Sequence, residues 1–203
     1  MIKNIIFDFG DIFINLHKEA TFIALAKLGV DDISGEMMAI AHRYEKGEIS
    51  TNDFINFFQN TFAISKEDVV FAWNAILLDF PTQRLQFLKE LAKSKKYRLF
   101  LLSNTNELHI SWIQNEWGKE LYAEFKNCFE QFYLSHEIGF RKPNSDIYEF
   151  VLQENNLKAA ETFFIDDTKE NTEAAKELGI QTWHLIPGKE DVVNLLTKKE
   201  FTT

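Results

Sequence analysis

Four short stretches of the chain are apolar almost without interruption, at 2–7, 97–102, 162–165 and 180–186. Runs this brief, with no polar alternation, predict strands covered on both faces, as in a parallel sheet. The stretch 129–134 is a weaker candidate. Between the runs the apolar spacing changes to that of helices. Pro81-Thr82 opens 82–93, with Leu85, Leu88, Leu91 and Ala92 on one face. Asn106 is placed to cap 107–117, which carries Leu108, Ile110, Trp112 and Ile113. Pro143 precedes 144–155, bearing Ile147, Phe150, Val151 and Leu152. Asp167 or Thr168 can cap 169–178, with Gly179 in the stop position. Strands alternating with helices imply an α/β fold: a three-layer, Rossmann-like core around a parallel sheet.

Residues 16–80 break the alternation. They hold no strand pattern, only helical spacing, in Phe22/Leu25/Ala26, Met37/Ile40/Ala41, Phe54/Phe57/Phe58 and Val69/Val70/Trp73/Ala75-Ile76. Ser50 with Asp53 makes a capped start for the third of these helices. The segment exceeds any single crossover, so it reads as a small helical bundle inserted after the first strand. The expected division is a core of 1–15 and 81–203 and a helical cap of 16–80.

The 203 residues suffice for one domain with such an insertion. Lys plus Arg total 22 against 31 Asp plus Glu, a net charge of -9. That balance disfavours nucleic-acid and anionic-membrane surfaces, which call for a basic footprint. Cys128 is the sole cysteine, so no internal disulfide forms, in keeping with a reducing cytosol. Met1 leads straight into the first apolar run, and no run approaches the roughly 20 residues of a membrane span. The expectation is a soluble, cytoplasmic protein; its oligomeric state is not legible.

The candidate chemistry sits where apolar runs end. Asp8 follows the first and leads into Phe9-Gly10-Asp11; Ser103-Asn104-Thr105-Asn106 follows the second; Gly139-Phe140-Arg141-Lys142-Pro143 reads as the polar end of a further strand; Asp166-Asp167 follows Thr162-Phe163-Phe164-Ile165. A parallel sheet gathers the carboxyl ends of its strands along one edge, where ligands of open α/β sheets bind. Each feature alone has a plain structural explanation: a strand terminus, an Asn106 cap, a solvated lysine, a helix start complementing the macrodipole. Together they compose a site. Asp8 can act as a nucleophilic carboxylate forming an aspartyl-phosphate or aspartyl ester. The Phe9-Gly10 turn can present N–H groups to an anion. The Ser103 hydroxyl, the Asn104 amide and the Lys142 ammonium can hold phosphoryl oxygens.

Charge decides what else belongs there. Three carboxylates, Asp8, Asp166 and Asp167, against Lys142 leave two negative charges that would repel a phosphate dianion. One divalent ion neutralises them and bridges nucleophile to phosphate, and Mg²⁺, with its few carboxylate ligands, is the expected one.

These residues, in this order and strand context, resemble the haloacid dehalogenase-like (HAD) hydrolase superfamily. Asp8 opens the first motif, Ser103 is the second, Lys142 the third, and Asp166-Asp167 with Asn171 the fourth. The wording is similar to a bacterial subgroup containing sugar-1-phosphate (alpha-D-glucose-1-phosphate) phosphatases, through 45–50, 102–109, 133–135 with 139–143, and Ile147-Tyr148. The resemblance implies that Asp8 attacks phosphorus and coordinates Mg²⁺, and that the Gly10 carbonyl is a second protein ligand. It implies that Asp166 and Asp167 complete the metal site, with the direct ligand of the two left open, and that Ser103 and Lys142 stabilise the transferring group. One departure stands out. Most phosphatases of the superfamily carry an aspartate acid–base two residues after the nucleophile, where this chain has Gly10, as does the subgroup it resembles. Asp11, His17, His42 and Glu45 are the candidate substitutes, and Arg43, Tyr44 and Lys46 the candidate substrate contacts from the cap.

The leading expectation is a Mg²⁺-dependent phosphomonoester hydrolase acting on a small phosphorylated metabolite, a sugar phosphate by resemblance, through a phospho-Asp8 intermediate. Hydrolytic dehalogenation of 2-haloacids through an Asp8 ester is the alternative reaction. A catalytically weak phosphate-binding protein, lacking its acid at Gly10, is the non-enzymatic alternative.

Overall fold

The computed structural model describes residues 1–30 and 35–202; positions 31–34, within the inserted segment, and 203 lie outside it. The apolar runs form β1 (Asn4–Phe7), β2 (Arg98–Ser103), β3 (Gln131–Leu134), β4 (Thr162–Asp166) and β5 (Gln181–His184), all parallel, in the order β3-β2-β1-β4-β5. Successive side chains alternate between two apolar layers. Ile5, Phe7, Leu99, Leu101, Phe163 and Ile165 face one; Ile6, Phe100, Leu102 and Phe164 face the other. Burial on both faces explains why these strands lack polar alternation. β5 is shorter than its run by one residue at the start and two at the end, the Leu185 N–H still reaching the Asp166 carbonyl at 3.0 Å.

Four helices separate β1 from the next core element: α1 (Ala20–Lys27), α2 (Gly35–Glu45), α3 (Thr51–Phe62) and α4 (Lys66–Asn74). They share an apolar cluster of their own, built on Leu25, Met37, Tyr44, Phe54, Phe58 and Val69. Ser50 and Asp53 form the predicted reciprocal cap of α3, and the Ser65 hydroxyl caps α4 by accepting the Asp68 N–H. The helical reading needs three corrections. Phe22 is 39% exposed, the buried positions of α1 being Thr21 and Leu25. Ala75-Ile76 lie beyond the end of α4. Tyr44, read as an exposed substrate contact, is buried and stacked on Phe54 at 4.4 Å.

α5 (Thr82–Ser94), α6 (Glu107–Trp117) and α7 (Lys119–Lys126) cover one sheet face; α9 (Ser145–Glu154) and α10 (Lys169–Glu177) cover the other. α7 and the one-turn α8 (Ser135–Ile138) are absent from the sequence reading. Gly118 with φ +79 is the break that separates α7 from α6. The terminal segment is anchored through Phe201, whose ring meets Phe163 at 5.0 Å and Tyr97 at 5.5 Å.

Candidate active site

Asp8 leaves β1, the central strand, between β2 and β4, and its backbone N–H is fixed by the Ile165 carbonyl at 2.8 Å. Asp166 ends β4 and Asp167 follows it. Lys142, on the loop between α8 and α9, is 1% exposed and reaches the same rim. Its Nζ donates to Asp8 Oδ1 at 2.7 Å, to Asp166 Oδ2 at 2.7 Å and to the Leu102 carbonyl at 2.8 Å. The three donors of the ammonium are thereby used. Oxygen atoms of Asp8, Asp166 and Asp167 lie within 4.8 Å of one another, the donor set and spacing suited to a hard cation. The stretches bearing Asp8, Lys142 and Asp166-Asp167, distant in sequence, do converge.

The two aspartates at the end of β4 differ in their surroundings. Asp166 is fully buried, and both its oxygens are saturated, by Lys142, the Thr168 N–H at 2.8 Å and the Asn171 amide at 3.1 Å. Tyr148 donates to the Asn171 carbonyl at 2.9 Å and steadies that helix start. Asp167 instead pairs with Lys18, which also lies 3.5 Å from Asp11. Lys18 carries no sequence signal: it is a lone lysine of the loop before α1, and the pairing spans most of the chain. Counting it and Asp11, four carboxylates face two ammonium groups, so the twofold negative excess persists.

Burial pushes the Asp8 carboxyl from 3.8 up to about 8; Lys142 opposes the shift, and Asp166 and Asp167 add to it. The buried Asp8 carboxyl therefore keeps its proton well above the usual carboxylate range. Burial likewise raises Asp167, against Lys18.

Ser103 is buried at the end of β2, and its hydroxyl makes only a 3.5 Å contact with the Asn104 carbonyl, so it is uncommitted. Asn104 is engaged otherwise than the sequence suggests. Its Oδ1 accepts the Lys142 N–H at 2.9 Å and its Nδ2 donates to the Lys142 carbonyl at 2.9 Å, clamping that backbone rather than offering the amide to a ligand. Gly10 lies in a tight turn where the Asp11 N–H binds the Ile14 carbonyl at 2.7 Å and the Ile14 N–H binds the Phe9 carbonyl at 3.3 Å. The Gly10 carbonyl takes no part in this turn. A Cβ on Gly10 would lie 2.6 Å from Leu16 Cδ1, so Leu16 occupies the direction in which a side chain at position 10 would project.

The proposed acid–base substitutes are dispersed. Asp11 accepts the Leu16 N–H at 3.0 Å and faces Lys18; His17 and His42 are exposed; Glu45 pairs with Arg141 at 2.6 Å. Arg43 and Lys46 both lie near Glu48 on the surface. Glu45 and Arg141 border a cavity of about 170 Å³ between α1, α2 and α4, with Lys18 at its edge toward the acidic cluster. His109, in its wall, is neutral: burial pulls it down to about 4, with Nε2 donating to the Trp73 carbonyl at 3.1 Å and Nδ1 accepting from Asn106 at 3.2 Å.

Known proteins are similar to this chain along most of its length. The chain is 28% identical over 190 residues to a D-ribitol-5-phosphate phosphatase of Bacteroides thetaiotaomicron, covering 90% of this chain and 91% of that one. A HAD family enzyme from the same organism, solved as a magnesium complex, superposes with TM-score 0.85 at 34% identity, over 97% of this chain and 99% of that one. A predicted HAD-like family hydrolase of Porphyromonas gingivalis gives TM-score 0.85 at 29% identity, over 97% of each chain. The haloacid dehalogenase-like hydrolase profile covers residues 2–179, from β1 through the end of α10. This chain belongs to the haloacid dehalogenase-like hydrolase family.

Proposed function

We propose that the protein is a Mg²⁺-dependent phosphomonoester hydrolase acting on a small phosphorylated metabolite, in the first instance a sugar phosphate. The observation that carries this reading is the buried acidic cluster around Asp8 with Lys142 at its centre, an arrangement that gains a divalent cation and a phosphoryl group together. Asp8 attacks phosphorus, expels the alcohol, and carries the phosphoryl group until water releases it. The Ser103 hydroxyl holds an equatorial oxygen through the transition state, and Lys142, whose hydrogens are committed to Asp8, Asp166 and the Leu102 carbonyl, contributes its positive charge beside it. Asp8, the Gly10 carbonyl and Asp167 are the protein groups that would hold Mg²⁺. Saturated Asp166 keeps Lys142 and the start of α10 in place, reaching the ion only indirectly. Bound Mg²⁺ supplies Lewis-acid neutralisation of the phosphate charge. Residues 16–80 serve as the cap, excluding water above a core of 1–15 and 81–203. Similarity to a D-ribitol-5-phosphate phosphatase and to a magnesium-bound family member supports the substrate class and the metal.

The test is phosphate release from a panel of sugar phosphates with Mg²⁺ or EDTA. Metal-dependent turnover that Asp8→Asn abolishes is the result expected. Chloride release from 2-haloacids that survives chelation would replace this reading with the dehalogenase. Phosphate binding without turnover would leave a non-catalytic protein.

A further inference from the structure

Helix α4 buries one side, through Val69, Ala72 and Trp73, in the apolar cluster of the four inserted helices. Its other side borders an open groove of about 540 Å³ against α6. Val70, Phe71, Leu77 and Trp112 wall this groove, Asn74 lies at its floor, and the exposed Lys66 and Glu67 stand at its rim. It shares no lining residue with the cavity beside the acidic cluster.

Three features of this face are unfinished. Phe71 is 72% exposed. Asn74 is only 5% exposed, yet its Oδ1 has no hydrogen-bond partner. An acceptor buried without a donor is unfavourable, so the groove lacks a donor from outside. Lys66, in the first turn of α4, makes no ion pair among the described residues. The helix dipole disfavours a cation at that end and favours one at the other.

One symmetry operation meets all three. A two-fold axis through Val70, perpendicular to α4, lays a second α4 antiparallel on the first, so that positions equidistant from Val70 face each other. Lys66 and Asn74 each stand four positions from Val70. Each Lys66 ammonium then reaches the partner's Asn74 and the carboxyl end of that helix, where its charge is favourable. Val70 meets the partner's Val70, and Phe71 enters the groove walled by the partner's Trp112. Charge permits the approach. The chain carries a net charge of -9, which holds copies apart over much of their surface, whereas Lys66 and Glu67 cancel at this rim. A small ligand would fill the groove but leave Lys66 at the wrong end of its helix.

We propose that this face joins two copies of the chain in an isologous dimer through antiparallel α4 helices. The proposal does not depend on the hydrolase reading. The contact is short, since nine residues span only about 13 Å. The dimer is therefore concentration-dependent.

Sedimentation equilibrium of the full chain across the micromolar range should show a monomer–dimer equilibrium. A monomer throughout, with the groove left to a small ligand or another protein, overturns the proposal. Phe71→Ser, at an exposed position that folding does not require, should weaken the dimer by about tenfold or more. Lys66→Glu should weaken it comparably, while Lys66→Arg keeps the charge and the affinity. A dimer indifferent to Phe71→Ser, or equally sensitive to both Lys66 variants, uses another surface and overturns the proposal. The register is tested in a Cys128→Ser background. On mild oxidation Val70→Cys, at the axis, should give a covalent dimer well ahead of Glu154→Cys, exposed on α9 across the sheet. Equal rates overturn the antiparallel pairing.

Discussion

An ammonium group with three hydrogen atoms can satisfy three acceptors, and Lys142 uses all three on Asp8, Asp166 and the Leu102 carbonyl. Removing it leaves two buried carboxylates facing each other. Lys142→Met should lower kcat by about 10²–10³-fold through loss of charge stabilisation. It should also cost about 3 kcal/mol of stability at pH 8, and less at pH 5, where Asp8 is protonated; denaturant titrations at the two pH values measure the difference. Gly10 is the other informative residue. Gly10→Asp restores the acid usual in the family and places a Cβ 2.6 Å from Leu16 Cδ1, the end of a half-buried side chain that can swing aside, so the variant should fold with little loss of stability. Gly10→Asp, with Leu16→Ala added to clear its path, should raise kcat at least tenfold, within the 10²–10⁴-fold reach of general acid–base help. Single-turnover and steady-state rates check it. Asp8, Ser103 and Asp167 were legible in the sequence as polar groups at the ends of apolar runs, whereas Lys142, read the same way, sits on a loop between two helices. Lys18 and Leu16 were not, because a role fixed by contact leaves no periodicity behind.

At the scale of elements, the helical insertion is joined to the core along a close seam. Leu108 of α6 packs into the cluster of the four helices, and its N–H donates to the Tyr44 hydroxyl at 3.1 Å. The turn after α2 brings Gly47, at φ +67, so near α8 that an added Cβ would lie 2.1 Å from the His136 carbonyl oxygen. Only glycine permits both the left-handed backbone and that approach. Gly47→Ala should destabilise by about 2 kcal/mol or more. It should also loosen the Glu45–Arg141 link, and hydrogen-exchange protection falling first in α2 and α8 would register it. The alternation of strands and helices was readable in advance because burial on two faces and on one face leaves different spacings. α7 and α8 were not, since a helix break at a glycine and a single turn look alike in sequence. The reading of Tyr44 as exposed failed for a related reason: an aromatic with a hydroxyl suits either a surface or a core that offers a partner, here Thr51 at 2.8 Å.

For the molecule as a whole, the acidic cluster couples folding, proton binding and metal binding. Asp8 titrates near 3.8 when unfolded and at about 8 when folded. Between those values the folded state holds the extra proton, so this group's contribution to stability is complete below about pH 4 and declines as pH rises toward 8. Mg²⁺ expels that proton, so its apparent affinity should climb by up to about tenfold per pH unit until pH 8. Thermal melts from pH 5.5 to 8.5, with Mg²⁺ and with EDTA, should therefore separate progressively; a gap that stays constant with pH would contradict a protonated Asp8. Among the described residues no helix is long and apolar enough to cross a membrane. The sequence by itself determined the parallel α/β architecture and which strand ends carry reactive groups, because two-sided burial and strand termination are local properties of the chain. Tertiary structure alone decided that one lysine bridges Asp8 and Asp166, that a second guards Asp167, that Asn104 clamps backbone, and that Leu16 fills the place of the acid. Each of those depends on the approach of segments remote in sequence, and composition does not encode distance.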